Sequence, residues 1–371
     1  MIEKGKISAF QMGVMMYPTI LATAILTVPS ITATYAKQDL WISPIWDFPI
    51  GMLLVYVLLK LNKLYPEENI IQYSKSIMGS FMGKTLGIIY LFFFLHNSSF
   101  ALRQYAEFLI ITSLPKTPLF VVMGGMTLVC SFAVKAGIEA LARSALVFIP
   151  LFTLPLLLMV VMLLPDMEPR NILPVLEKGI LPSLKGGFFL MTWFCDLLYL
   201  SFLFPFLKDR KKGGKWGTIL VIAITSTMVI TNLATEFVLG GTTQIMLYPV
   251  MNVVRFISIA EFFEHIEAVV IAVWVTGAFI KISIFYYALA LGTAQWLGLS
   301  NYKSLVLPIG FLQLICSIWV APNIQQIAHF FSMAGTIYFP FIELILPSFL
   351  LFVALIKRKY KDKCPNSSNI R

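Results

Sequence analysis

Residues 11–33 read QMGVMMYPTILATAILTVPSITA, and the fold turns on how that stretch is read. With Ala9 and Phe10 it is an apolar run free of Asp, Glu, Lys and Arg. It exceeds the about 20 residues, each rising 1.5 Å, that a helix needs to cross a bilayer. Lys4 and Lys6 precede it as they would precede a secretory signal, but the run outlasts the roughly 7–15 residues of a signal core. It is therefore read as a membrane span. Pro18 and Pro29 lie inside it; proline removes an N–H and crowds the preceding turn, so a break is expected from Pro18 to Ala24. Backbone groups freed in a membrane must be buried in protein or line a cavity. Tyr17, Ala22, Thr23 and Ala24 are accordingly candidate ligand contacts.

Composition supports the membrane reading. Of 371 residues, 58% are hydrophobic and 12% charged, with a mean hydropathy of +0.85, more apolar surface than one soluble core can bury. The net charge of +10 is spread over short connections and the last tail, which excludes nucleic acid as the partner and points to loops on the cytoplasmic side of a bilayer. Cys130, Cys195, Cys316 and Cys364 stand singly, so neither a disulfide framework nor a metal site follows, and no cofactor is implied.

Hydropathy marks ten spans, at about 9–34, 41–61, 84–113, 118–134, 139–164, 182–207, 216–239, 265–297, 304–321 and 331–356. An even number puts both termini on one face. With Lys4 and Lys6 in the cytoplasm, twenty of the 28 Lys and Arg fall inside and six outside, while Arg103 and Lys281 lie within spans. Residues 67–80 suit a short helix on the inner surface. Residues 165–181 form a proline-broken outer loop, and 248–263 carry a helical apolar face that would cap an outer vestibule.

The sixth span, PSLKGGFFLMTWFCDLLYLSFLFPFL at 182–207, holds Gly186, Gly187, Asp196 and Pro205. It is the counterpart of the first if the chain divides after the fifth. Two interrupted helices at corresponding places in two halves mark a midplane site in transporter folds built on inverted repeats. Phe194 and Asp196 would face the break in the first helix, with Thr276 of the eighth nearby.

Four further groups sit where charge is expensive. Lys281 lies about 15 residues, ~22 Å, from either end of its helix, so a carboxylate, carbonyls or water must compensate it. Asp196 and Glu343 are read as the two deep carboxylates, either of which can pair with Lys281, hold a substrate ammonium or carry a proton. Arg103 and Glu107 are four apart on one helical face, which suits a neutralising pair. Asn97, between His96 and Ser98-Ser99, serves either an interhelical network or a ligand.

The run FEHIEAVVIAVWVTGAFIKISIFYYALALGTA at 263–294 resembles the eighth span of the spore germination permeases, the B subunits of nutrient germinant receptors. ISAFQMGVMM and AILTVPS in the first span match as well, as do NILPVLEKGILPSLKGG before the sixth and LFPFLKDRKKGGKWG after it. The resemblance implies the amino acid–polyamine–organocation superfamily. The fold is then an all-α polytopic membrane protein of ten transmembrane helices, a LeuT-like five-plus-five inverted repeat with the first and sixth helices broken. One membrane domain would fill residues 1–371, with repeats at about 9–164 and 182–356 and a cytoplasmic tail at 357–371. It further implies a small nutrient ligand, an amino acid by preference, and partners in an A subunit and a C lipoprotein in the inner membrane of a bacterial spore. In such folds the eighth helix borders a sodium site, where the Lys281 ammonium would replace the ion. Relatives carry a glycine-flanked break where this chain has Ala22-Thr23-Ala24, and Gly-Glu where it has Cys195-Asp196. A proton-coupled amino-acid transporter of the same plan is the alternative; a membrane enzyme lacks any nucleophile-and-base spacing here.

Overall fold

The computed structural model describes residues 2–254 and 266–363. Arg255, His265, Cys364, the rest of the tail, and the part of the outer stretch beyond Val254 lie outside the described residues. Ten helical spans follow in order: Ala9–Ala36, Ser43–Leu64, Ser80–Thr112, Leu119–Ala136, Ile138–Met162, Leu181–Phe206, Gly213–Leu239, Ile266–Leu297, Val306–Trp319 and a last segment from Ile324 to Lys363. Length and apolar content alone single out eight stretches, because the first two spans run together over Ala9–Leu64 and the ninth is short. The expected surface helix is present at Ile70–Met78. Asn69 caps it by accepting from the Ile71 and Gln72 amides at 3.1 and 3.4 Å.

The first span departs from expectation. It is one continuous α-helix from Ala9 to Ala36 with both prolines inside, so it offers no free half-helix end to a ligand. Its start is fixed by a capping box, in which Ser8 Oγ accepts from the Gln11 amide and Gln11 Oε1 from the Ser8 amide. Each proline withdraws one N–H, which in a helix serves the carbonyl four residues back, Val14 for Pro18 and Ile25 for Pro29, while nearby hydroxyls add bonds to other carbonyls of the same helix. Thr19 donates to the Met15 carbonyl, and Thr32 to those of Val28 and Pro29.

The sixth span is the interrupted one. Its α-helix ends at Cys195, and a tighter 3-10 turn occupies Asp196–Tyr199, followed by Leu200–Leu203 and a second tight turn at Phe204–Phe206. It is also the most enclosed span, with 83% of its central window buried against 22% for the fifth, so the fifth faces lipid and the sixth is the axis. Gly186 lets the second span approach, since a Cβ there would lie 2.4 Å from Ser43 Oγ. Gly277 does the same between the eighth, first and fifth spans, where a Cβ would lie 2.6 Å from the Phe152 ring and 2.9 Å from the Ala22 Cβ.

The tenth span changes winding twice, being π-helical at Phe331–Gly335 and again at Phe341–Ile345. Such turns insert a residue and re-aim the side chains around them. At the chain's beginning, residues 2–8 form a strap. Ile7 pairs in parallel with the end of the sixth span, its amide donating to the Phe206 carbonyl at 3.0 Å and its carbonyl accepting from Lys208 at 2.9 Å. Asp209 Oδ1 accepts from the Ala9 amide at 2.7 Å. Glu3 Oε2 accepts from the Tyr302 hydroxyl at 2.9 Å and the Ile138 amide at 3.3 Å, and Glu139 accepts from the Lys6 amide.

Candidate functional site

Four spans meet where the sixth helix changes its winding. The turn at 196–199 points the Asp196 carboxylate into the bundle, where Oδ2 accepts from the Lys281 ammonium at 2.9 Å and Oδ1 from the Asn97 amide at 3.0 Å. Lys281 also donates to the Thr23 hydroxyl at 2.9 Å, and Trp193 Nε1 donates to that same oxygen at 3.1 Å. The ammonium lies 5.0 Å from the centre of the Phe285 ring, which stacks on Tyr199 at 4.0 Å. Lys281 and Asp196 are 3% and 4% exposed, so the pair is held together in a medium that screens it little. Its partners span the first, third, sixth and eighth helices.

Of the residues singled out from sequence, Thr23, Asn97, Asp196 and Lys281 are brought together. Glu343 is fully buried near them, within electrostatic reach of Asp196 and Lys281. Ala22 lies beside Thr23 under Gly277, and Ala24 is buried in the core of the bundle. Tyr17 instead turns to the seventh span, its hydroxyl 2.7 Å from that of Thr227. Phe194 packs against the second span at Gly51. Thr276 donates to carbonyls of its own helix.

Arg103 binds Glu107 through Nε and Nη2 at 2.9 and 2.7 Å and reaches the Pro322 carbonyl at 2.8 Å. That pair fastens the third span to the start of the tenth. The polar group around it on the third span is likewise interhelical, with Ser99 donating to the Gln313 carbonyl and His96 facing Tyr338. Asp196 and Glu343 are not alone as deep carboxylates. Asp47 of the second span is 1% exposed, and neither oxygen has a partner among the described residues. Its signal was a lone acid in an apolar stretch. Trp193, Tyr199 and Phe285 gave no such signal, because as aromatics in apolar helices they read as core.

A narrow cavity opens beside Thr23, between the first, third and eighth spans. Gln104, Tyr105 and Tyr248 give it amide and hydroxyl groups, Phe108 and Trp274 flat apolar walls, and among the described residues no charged side chain lines it. Its free room of about 20 Å³ admits little more than one water. A larger polar cavity of about 390 Å³ lies at the N-terminal end of the bundle, walled by Glu3, Asn69, Gln72, Phe206 and Gln295.

The fold is that of known transporters. The chain superposes on MhsT in complex with L-phenylalanine with a TM-score of 0.66 at 11% identity, over 95% of this chain and 99% of that one. A Na+-coupled sialic acid symporter in a substrate-bound, outward-open state gives 0.64 at 12% identity, over 92% and 80%. In sequence, spore germination protein KB of Bacillus subtilis is 28% identical over 98% of both chains. Spore germination protein YndE of the same organism is 27% identical over 78% of this chain and 81% of its own. The family profile described as spore germination protein matches residues 6–325. With the LeuT-like transporter fold beneath it, this chain belongs to the spore germination protein family.

Proposed function

We propose that this chain is the membrane B subunit of a nutrient germinant receptor, taking a small nutrient, by preference an amino acid, beside Thr23. The observation that carries the reading is the Lys281 ammonium bridging Thr23 of the first helix to Asp196 of the sixth. A ligand entering the cavity at Thr23 acts on that bridge directly. The lining supports an electrically neutral solute, including a zwitterion, since its polar groups are amide and hydroxyl. Asp196 already has the Lys281 ammonium in contact and Asn97 on its other oxygen, so a ligand ammonium would meet it in place of the bridge. The present room is too small for a nutrient, and binding therefore selects a wider arrangement of the helices. An A subunit and a C lipoprotein would receive that change in the inner membrane of the spore, with both termini of this chain cytoplasmic.

The second reading, a proton-coupled amino-acid transporter, is favoured by the likeness to transporters throughout the chain. Spores lacking their receptors, complemented with this subunit and its partners, should release dipicolinate on nutrient addition. Thr23→Trp should abolish that release when compared at matched membrane abundance. An unchanged dose-response in the variant removes the site from Thr23, and labelled nutrient accumulating in vesicles of this subunit alone supports transport.

A further inference from the structure

Glu343 is 0% exposed, and neither of its oxygens meets a hydrogen-bond donor among the described residues. It sits in the π-helical turn Phe341–Ile345, which packs on the tight turn Asp196–Tyr199. The groups facing it are Tyr90 of the third span, Cys195, Asp196 and Tyr199 of the sixth, Lys281 of the eighth and Tyr338 of its own helix. Two carboxylates thus stand near one ammonium, and Asp196 has that ammonium in contact. A second bare charge without a donor is poorly tolerated in such a place. A proton on Glu343 makes it a donor, and Asp196 is the acceptor beside it.

A row of orphaned hydroxyls leads away from Glu343. Tyr90 is buried with no hydrogen-bond partner among the described residues and lies within electrostatic reach of Glu343 on one side and Tyr73 on the other. Tyr73, on the surface helix Ile70–Met78, faces the Ser201 hydroxyl just past the interruption of the sixth helix. Both of those oxygens are also buried without a partner within bonding distance. Buried polar atoms left unmatched by protein are matched by internal water. The same short helix contributes Gln72, next to Tyr73 in sequence, to the wall of the polar cavity of about 390 Å³ at the N-terminal end.

We propose that Glu343 is a proton-binding site, reached from the N-terminal end of the bundle by a hydrated path along Ser201, Tyr73 and Tyr90. The proton arrives from bulk water, an O–H bond forms on Glu343 as one on hydronium breaks, and Asp196 accepts a hydrogen bond without taking the proton. The trio of Asp196, Glu343 and Lys281 then passes from one net negative charge to none. This does not rest on the identity of the nutrient, and its test uses no nutrient.

The full chain reconstituted in liposomes would be followed by infrared spectroscopy in the protonated-carboxyl region, then transferred to D2O. At neutral pH, one component should vanish in Glu343→Gln and move in Glu343→Asp, with helix content retained. Its deuterium shift should be slowed several-fold in Tyr90→Phe and in Tyr73→Phe. The proton site is overturned if neither Glu343 variant alters the spectrum. The path is overturned if the component exchanges equally fast in both tyrosine variants. Should Glu343→Gln fail to insert, the displaced band of Glu343→Asp decides alone.

Discussion

The Lys281 ammonium lies 2.9 Å from an oxygen of Asp196, joining the eighth and sixth spans across 85 residues of chain. Removing one member of a buried pair strands the other's charge, at about 3–5 kcal/mol. Lys281→Met should therefore lower the unfolding temperature of the purified protein, and adding Asp196→Asn should restore most of it. In spores at matched receptor abundance, Lys281→Met should lose nutrient response or germinate without nutrient. A threshold and rate like those of the parent would show that the bridge is not a switch.

Thr23 Oγ1 accepts from both Trp193 Nε1 and Lys281 Nζ. Thr23→Val keeps the shape and leaves the buried Trp193 N–H unmatched and Lys281 held by Asp196 alone, at about 1–3 kcal/mol for the unsatisfied group. Thr23→Ser keeps the hydroxyl and should unfold close to the parent temperature. Thermal melts of the two variants separate loss of the oxygen from loss of the methyl group, and equal melts would mean the oxygen is dispensable.

Tyr302, in the connection between the eighth and ninth spans, holds the strap through Glu3. Burial first, and then the Glu3 carboxylate, push its hydroxyl above the ordinary tyrosine value. Its contribution is therefore fully present below the unfolded value of about 10 and is lost only as pH rises through the higher folded value. Trypsin cleavage at Lys4 and Lys6 in inside-out vesicles should be equally slow at neutral and mildly alkaline pH. In Tyr302→Phe it should be several-fold faster at both. No acceleration would leave the hold on the strap to the Ile7 bridge and the bonds of Glu139 and Asp209.

Orientation follows from the charge distribution. A cysteine at Lys178 should react with an impermeant thiol reagent only from outside, and one at Lys361 only from inside. Labelling of both from the same side would overturn the odd number of crossings between them, spans six to ten.

The spans and the short helix within 67–80 were legible because both are local. A run of apolar residues long enough for a bilayer, or apolar residues spaced along one helical face, acts through its immediate neighbours. Lys281 was legible as a charge in need of a partner, and Asp196 stood among the options for the same reason. What the chain did not disclose is rotational. Tyr17 and Thr23 lie on one helix, yet one turns to Thr227 and the other to Lys281, because each residue advances the helix by about a hundred degrees. The direction in which Phe194 points is likewise set by the second span at Gly51. The first helix runs unbroken through both prolines, which a proline count alone reads as a break.

The strap also orders the molecule in time. Asp209, which accepts from the amide of Ala9, is 200 residues downstream of it, and Tyr302 is 299 downstream of Glu3. A ribosome delivers the first helix to the membrane long before either partner exists. That helix must cross with its amino end unfastened, and the strap that precedes it is among the last segments to be seated.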